Sequence, residues 1–402
     1  MARVAGRSAV VGMVGAGQLA QMTHQAAIDL GVELIVLAAS PQDPAVRAGA
    51  PAVYGPPDSR AALFELAERS DVLTFDHEHV PTDLVRELAA AGHRVYPAAA
   101  ALEHAQDKLL ARQAFSAAGY RVPPFAQLPD DEPGVGERFA AEHGWPVVLK
   151  TSRGGYDGRG VEVVRDPSEL SEVLGRWAGR QVLVEAHVPI AQELAVVGAR
   201  TPSGRWVAYP VVRTTQRDGI CVELAMPAPV AAEVADLAQS TARGIAEHID
   251  AVGLIAVELF LDTSGDLVVN EIALRPHNSG HATIEAAVTS QFQNHLRAVL
   301  DWPLGATDLR VPAAAMVNVL GGPDSADPAG HLPAALAVEG ANVHLYGKAP
   351  SPGRKLGHVT ACGPDIEAAL TIAREAALAV SGSSPGCVSR SGEAPPHSRR
   401  DL

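Results

Sequence analysis

The sequence predicts a mixed α/β and α+β protein: an N-terminal doubly wound parallel sheet, a central unit with antiparallel strands, and a small β-rich C-terminal unit. Three observations carry that expectation. Strand-like apolar runs alternate with helix-like segments over residues 1–106. From residue 107 the chain switches to short strands spaced by turns, and one of these feeds the glycine-rich loop "KTSRGGYDGRG" at 150–160. Strands alternating with helices pair in parallel through crossovers, whereas strands in quick succession close into hairpins.

In chain order, "AVVGMVGAGQLAQMTHQAAIDLG" reads as strand, glycine turn and helix, with Gly31 as the helix stop. "VELIVLAAS" and "SDVLTFD" are buried strands, and "RAALFELAER" is a helix between them. These make up the unit 1–106. The unit 107–305 opens with the helix "KLLARQAFSAAG" and continues through "VVLK", "VEVV", "QVLVEAHV", "ELAVVGAR" and "WVAYPVV". A helix near 230–248 and a strand pair over 254–271 follow. Residues 306–380, with "AAMVNVLGG" and "NVHLYGK", form the β-rich unit, and the Ser/Gly/Pro-rich 381–402 reads as a disordered tail.

The chain has 402 residues, 47% hydrophobic and 19% charged, enough for two or three domains with a sizeable core. A net charge of −14 argues against nucleic acid or an anionic membrane as partner. Aromatics at 4% argue against base-stacking platforms. Cys221, Cys362 and Cys387 are far apart and form no CxxC, as in a reducing compartment. The basic, apolar start superficially resembles a signal peptide but reads equally as a buried strand. No apolar run reaches the ~20 residues of a membrane span. A cytoplasmic location is expected.

Gly15, Gly17 and Ala20 form a GxGxxA fingerprint between strand and helix, a place where backbone can approach a phosphate. A dinucleotide fold also expects an acidic residue about 20 positions on, and this chain has "VLAAS" there. The turn either meets another phosphorylated ligand or only packs.

In "AVELFLDTSGDLVVNE", a two-residue turn at Ser264-Gly265 sets Glu258 directly opposite Glu271. Like charges in that register destabilise a sheet, and a hard cation such as Mg²⁺ between them removes the conflict. The alternative is that one glutamate faces solvent or pairs with Arg275. His277 and His281, or His77 and His79, suggest zinc by type, but neither pair has a third ligand at a recognised spacing. Lys150 ends a strand just before the glycine loop, where it can reach nucleotide phosphates. The Walker pattern GxxxxGK[ST] is absent.

Together, "GAGQLAQM", "HEHVP", "QDK", "GGYDGRG", "NEIALRPHNSGH", "SQFQNHLRA", "MVNVLG" and "HLYGK…GRKLGH" resemble the ATP-grasp superfamily. Within it they resemble the 5-(carboxyamino)imidazole ribonucleotide synthase family, the ATPase subunit of phosphoribosylaminoimidazole carboxylase. The resemblance covers residues 11 to about 360 and makes the central unit an ATP-grasp domain behind a Rossmann-like one.

The resemblance implies that Lys108 and Lys150 contact ATP phosphates and that Gly155, Tyr156, Asp157, Gly158, Arg159, Gly160 and Val161 form a loop closing over the nucleotide. Glu185, Ala186, His187 and Val188 become the adenine hinge, Glu193 holds ribose hydroxyls, and Gln216 and Asn270 lie beside the nucleotide. Glu258 and Glu271 bind Mg²⁺. Tyr156, Asp157, Arg275, His277 and Asn278 line the meeting point of ATP, bicarbonate and aminoimidazole ribonucleotide, with Asp157 as base. Gln18, Glu78, Lys348 and Arg354 become ribonucleotide contacts, the cations for its 5′-phosphate. The implied reaction runs through carboxyphosphate in a homodimer of purine biosynthesis. Leu274 and Ala186 depart from the family's common proline and acidic residue, and the tail matches nothing in it. A formate- or amino-acid-activating ATP-grasp ligase and a nicotinamide oxidoreductase are the alternatives.

Overall fold

A computed structural model describes residues 8–129, 134–155 and 160–382. Tyr156, Asp157, Gly158 and Arg159, and the expected tail beyond Gly382, lie outside the described residues.

The first sheet holds four parallel strands in the order Ala52–Tyr54, Glu33–Ala38, Val10–Val14, Val72–Phe75. Alternate residues of its second-from-edge strand feed two cores, as the pleat requires. Val10 and Val14 join Leu63, Leu66, Phe75 and Leu88 on one face. Val11 and Met13 face the other, with the helix Gln18–Leu30. That helix stops at Gly31, whose φ of 65° lets its N–H reach the carbonyls of Ala27 and Ile28.

The second core is not private to the N-terminal unit. Phe292, Leu296 and Val299 from the helix Gln291–Val299 pack into it. Phe292 and Leu296 are 1% and 0% exposed, each worth roughly 1.5–3 kcal/mol of burial. His295 on the same helix is neutral, because burial pushes its pKa down to about 3. Its Nδ1 accepts the Leu254 N–H at 3.1 Å, so Nε2 carries the proton towards Thr74 Oγ1, 2.9 Å away. The first unit is thereby fixed against the central one.

The second sheet is antiparallel, in the order Phe125–Leu128, Val182–Ala186, Val147–Thr151, Val161–Val164. Val147, Leu149, Val164, Val182 and Val184 face its own core, which leaves Val148, Lys150, Val163 and Glu185 to line a cleft. The third sheet, of nine strands, runs Leu267–Ala273, Gly253–Asp262, Ile190–Arg200, Val212–Arg217, Ile220–Met226, Ala313–Leu320, Lys355–Gly363, Ala341–Leu345, with Trp206–Ala208 beside Ile190–Arg200. It is continuous through the pairing of Glu223–Met226 with Ala314–Val317, so the C-terminal strands extend the central sheet. The C-terminal unit also carries the helix Ile366–Val380, whose Ala373, Ala376, Ala377 and Val380 cover Val319, Val359 and Ala361.

Candidate active site

All three sheets contribute to one cleft of about 1460 Å³. The second and third sheets both line it, and the C-terminal ends of Val10–Val14 and Val72–Phe75 join them through Gly15–Leu19 and Asp76–Pro81. Those ends flank the switch point of the parallel sheet, where ligands of such folds sit.

Glu258 does pair with Glu271 across the hairpin, although the turn differs from the expected two-residue one. Leu261 pairs with Leu267, and the Asp262 N–H donates to the Asp266 carbonyl, so the loop is Thr263-Ser264-Gly265. Gly265 has φ of 90°, and Asp262 Oδ1 accepts from the N–H groups of Ser264 and Asp266. A register shift between Glu258 and Leu259 leaves Asn270 as an extra residue and restores the expected pairing. Neighbours on a regular strand point to opposite faces, and a bulge relaxes that rule. Here Asn270 and Glu271 both reach lysines in the cleft. Lys150 Nζ donates to Asn270 Oδ1 at 3.1 Å, and Lys108 Nζ to Glu271 Oε2 at 3.1 Å.

The two carboxyls diverge electrostatically. Burial, then Glu271 and Glu193, push Glu258 up to about 8. Burial also opposes ionisation of Glu271, but Lys108 and Lys150 outweigh it and bring it to about 2. Glu271 keeps 46% of its side chain open, towards the interior of the cleft. Two close carboxylates cannot both ionise without a cation. A site with two acid groups and Asn270, open to phosphate oxygens, fits a hard divalent ion. Arg275, the alternative partner for these glutamates, pairs with Glu78 instead, Nε to Oε2 at 2.8 Å.

Lys150 is itself held from behind. Its Nζ lies 2.8 Å from Glu185 Oε2, while Arg112 Nε donates to Glu185 Oε1 at 2.6 Å. Burial lowers the Lys150 pKa and Glu185 opposes the loss. Burial would raise Glu185, but Arg112 and Lys150 bring it to about 2. The side chain of Glu185 thus serves the lysine, and only its backbone remains for the hinge that the sequence suggested. Asp107 caps the helix Lys108–Ala117 through the Leu109 and Leu110 N–H groups, and also accepts from Ser152 and Arg153. One carboxylate therefore fixes Lys108 and the root of the glycine loop together. Gly155, Val161, Ala186, His187, Val188 and Gln216 line the same cleft. Gly160 holds φ of 71° beside Thr151. Among the described residues, Glu193 Oε2 is buried without a hydrogen-bond partner, and burial raises its pKa to about 7. A buried acceptor left open in a cleft is a demand for a donor.

Where the first sheet reaches the cleft, the glycine fingerprint meets a carboxylate. Asp76 Oδ2 accepts the Gly17 N–H at 2.8 Å, and a Cβ on Gly15 would stand 1.7 Å from Asp76 Oδ1. The helix N-terminus that would hold a dinucleotide pyrophosphate already faces an acid. Burial raises the Asp76 pKa, against His77, Gly17, Arg275 and Lys348.

Arg275, His277 and Asn278 also line the cleft. Burial, Arg275 and Lys355 bring the His277 pKa down to about 3. Its Nδ1 lies 2.8 Å from Ser279 Oγ, and its Nε2 lies 3.6 Å from Glu258 Oε1. Glu78 accepts from Arg275 and from the Leu274 N–H at 3.3 Å, so its carboxylate positions this loop. Gln18, Lys348 and Arg354 complete the lining; Lys348 Nζ lies 5.7 Å from the Tyr346 ring centre, and Arg354 Nη1 donates to the Ala349 carbonyl at 2.9 Å.

Sequence reasoning missed Asp76, Asp107, Arg112, Gln291 and Asn318. Each touches a cleft residue from an element remote in the chain, so spacing gives no signal. Asp107, Gln291 and Asn318 do lie inside "QDK", "SQF" and "MVNVLG".

Residues 8–106 match the ribonucleotide synthetase preATP-grasp domain, residues 113–292 the ATP-grasp domain, and residues 314–371 the phosphoribosylaminoimidazole carboxylase C-terminal domain. The N5-carboxyaminoimidazole ribonucleotide synthase of Mycobacterium tuberculosis is 48% identical over 372 residues, covering 89% of this chain and 84% of the relative. Among solved structures, the N5-carboxyaminoimidazole ribonucleotide synthetase of Thermus thermophilus superposes with a TM-score of 0.83 at 37% identity, covering 93% of this chain and 99% of that one. The N5-carboxyaminoimidazole synthase of Aspergillus clavatus, in complex with ADP and 5-aminoimidazole ribonucleotide, gives 0.86 at 32% identity, with 93% and 98% covered.

Proposed function

The chain belongs to the N5-carboxyaminoimidazole ribonucleotide synthase family, and from that premise we propose how its residues divide the reaction. The activity is the ATP-dependent carboxylation of 5-aminoimidazole ribonucleotide with bicarbonate, giving N5-carboxyaminoimidazole ribonucleotide, ADP and phosphate. It is a ligase step of purine biosynthesis.

Bicarbonate is a poor electrophile, so one of its oxygens must first become part of a leaving group. The γ-phosphoryl of ATP passes to a bicarbonate oxygen, giving carboxyphosphate and ADP. The exocyclic amine then bonds to the carboxyl carbon, directly or after release of carbon dioxide. The carbon–oxygen bond to phosphate breaks and the nitrogen gives up a proton.

Lys108 and Lys150 oppose the charge of the phosphates during the transfer. Glu185, itself held by Arg112, favours the ionised form of the Lys150 ammonium and aims it. Glu258, Glu271 and Asn270 would hold Mg²⁺, which when bound screens the phosphate oxygens and orients the transferred group. Glu193 accepts ribose hydroxyls, and the backbone of Ala186–Val188 reads adenine beside Gln216. Arg275, neutral His277 and Asn278 form the bicarbonate and amine end. Gln18, Lys348 and Arg354 receive the ribonucleotide, the two cations at its 5′-phosphate, while Glu78 acts by fixing Arg275. The glycine loop that includes Gly155, Gly160 and Val161 shields carboxyphosphate from water.

One observation carries this reading: the Glu258–Glu271 pair faces Lys108 and Lys150 in the same cleft as the Arg275–Asn278 loop. Phosphate release with ATP, Mg²⁺ and bicarbonate tests it, and addition of aminoimidazole ribonucleotide should stimulate turnover. Formate or alanine giving the larger stimulation would place the chain with another ATP-grasp ligase. We also infer a homodimer in the cytoplasm from the family resemblance; light scattering giving a mass near 41.8 kDa would contradict the dimer.

A further inference from the structure

We infer that Asn318, on the C-terminal strand Ala313–Leu320, is a positioning residue that sets the orientation of the Asn278 amide in the substrate loop. This rests on the reading of Asn278 as part of the bicarbonate and amine site. The two side-chain amides form a closed reciprocal pair. Asn278 Nδ2 donates to Asn318 Oδ1 at 3.0 Å, and Asn318 Nδ2 donates to Asn278 Oδ1 at 2.9 Å.

What fixes the pair is backbone. Asn318 Nδ2 also donates to the Cys221 carbonyl at 2.9 Å, an atom that can only accept. The Asn318 amide therefore has one permitted orientation, and both its hydrogens are committed. Asn278 must present its nitrogen to Asn318 Oδ1 and its oxygen to Asn318 Nδ2. One N–H and one lone pair then remain on Asn278 for whatever enters the cleft.

Burial gives the arrangement its force. Asn318 is 6% exposed, so a flipped Asn278 would set oxygen against oxygen and nitrogen against nitrogen away from water. The backbone just before Asn278 is held as well. The His277 N–H donates to Gln291 Oε1 at 2.9 Å, and Gln291 Nε2 donates to the His277 carbonyl at 2.8 Å. Glu78 from the first unit, Gln291 from the central helix and Asn318 from the C-terminal strand thus grip residues 274–278 from three sides. Asn318 holds the side-chain amide of the cleft-lining Asn278, which gives the C-terminal strand a part in orienting substrate.

The test compares Asn278→Ala, Asn318→Ala and the double variant by kcat/KM for aminoimidazole ribonucleotide, by ATP affinity and by melting temperature. Asn318→Ala should lower kcat/KM for the ribonucleotide about tenfold or more, with ATP affinity within about twofold of wild type. The double variant should be no worse than Asn278→Ala to within about twofold. Losses that multiply, or a fall in melting temperature with kcat/KM unchanged, would leave Asn318 a packing residue and overturn the inference. Should Asn318→Ala not fold, Asn318→Asp keeps the shape but removes both donated hydrogens, and the same comparisons decide with it. An Asn278→Ala variant that uses the ribonucleotide normally would overturn the site reading too; loss there with none in Asn318→Ala overturns this inference alone.

Discussion

Glu185 meets Lys150 at 2.8 Å inside the wall of the cleft, and both side chains are more than 90% buried. The carboxylate also neutralises Arg112 behind it. Glu185→Gln therefore removes the carboxylate that both buried cations contact, a loss of about 3–5 kcal/mol in such sites, to be read as a lower melting temperature. It also removes the charge that opposes the fall of the Lys150 pKa. The alkaline limb of kcat against pH should move to lower pH, a shift that unfolding alone does not produce.

The Glu258–Glu271 pair makes stability depend on pH with a definite sign. Glu258 is raised to about 8 from an ordinary 4.5, so its protonated form is favoured in the folded state. Its contribution is full below about pH 4.5 and is lost as pH rises through 8. Ligand-free wild type should lose melting temperature from pH 6 to 9 relative to Glu258→Gln, which cannot ionise there. Mg²⁺ with ATP should reverse that loss and release a proton, measured by calorimetry in two buffers of different ionisation heat. Equal pH slopes for the two proteins would contradict the shared-proton account.

Glu193 Oε2 has no hydrogen-bond partner among the described residues, and burial raises the pKa of this carboxyl to about 7. Its carboxylate form, suited to ribose hydroxyls, grows in as pH rises through that value. ATP binding should tighten between pH 6 and 8, and Glu193→Ala should weaken it about tenfold and flatten the pH dependence. Affinity for 2′,3′-dideoxy-ATP should be nearly indifferent to the substitution.

How much of this was legible in the sequence depends on where each partner lies. The Glu258–Glu271 register was readable because a hairpin turn is local, yet it came out right through two departures, a longer loop and the bulge at Asn270, that cancel. The parallel first sheet was readable from strand and helix alternation. The helix Ile366–Val380 was not, because its buried stripe is mostly alanine, which contrasts weakly with its polar face. The partners of the glycine fingerprint, Lys150 and Asn278 are Asp76, Glu185 and Asn318. Each comes from a distant element, and only tertiary packing brings it in.

Lys348 and Arg354 line the same cleft as Lys108 and Lys150, and Lys348 acts on Asp76 beside the glycine turn. Lys348→Met and Arg354→Met should each raise KM for aminoimidazole ribonucleotide about tenfold or more while leaving KM for ATP within about twofold. Equal rises in both constants would show that the two nucleotides do not occupy separate parts of the cleft.

The most direct test of phosphoryl transfer to bicarbonate follows one oxygen atom. With ¹⁸O-labelled bicarbonate, ATP, Mg²⁺ and aminoimidazole ribonucleotide, the phosphate released should carry one labelled oxygen per turnover. That oxygen becomes the bridge of carboxyphosphate and leaves with phosphorus. Phosphate free of label, from turnover that still yields the carboxylated ribonucleotide, would mean that bicarbonate never takes the γ-phosphoryl group.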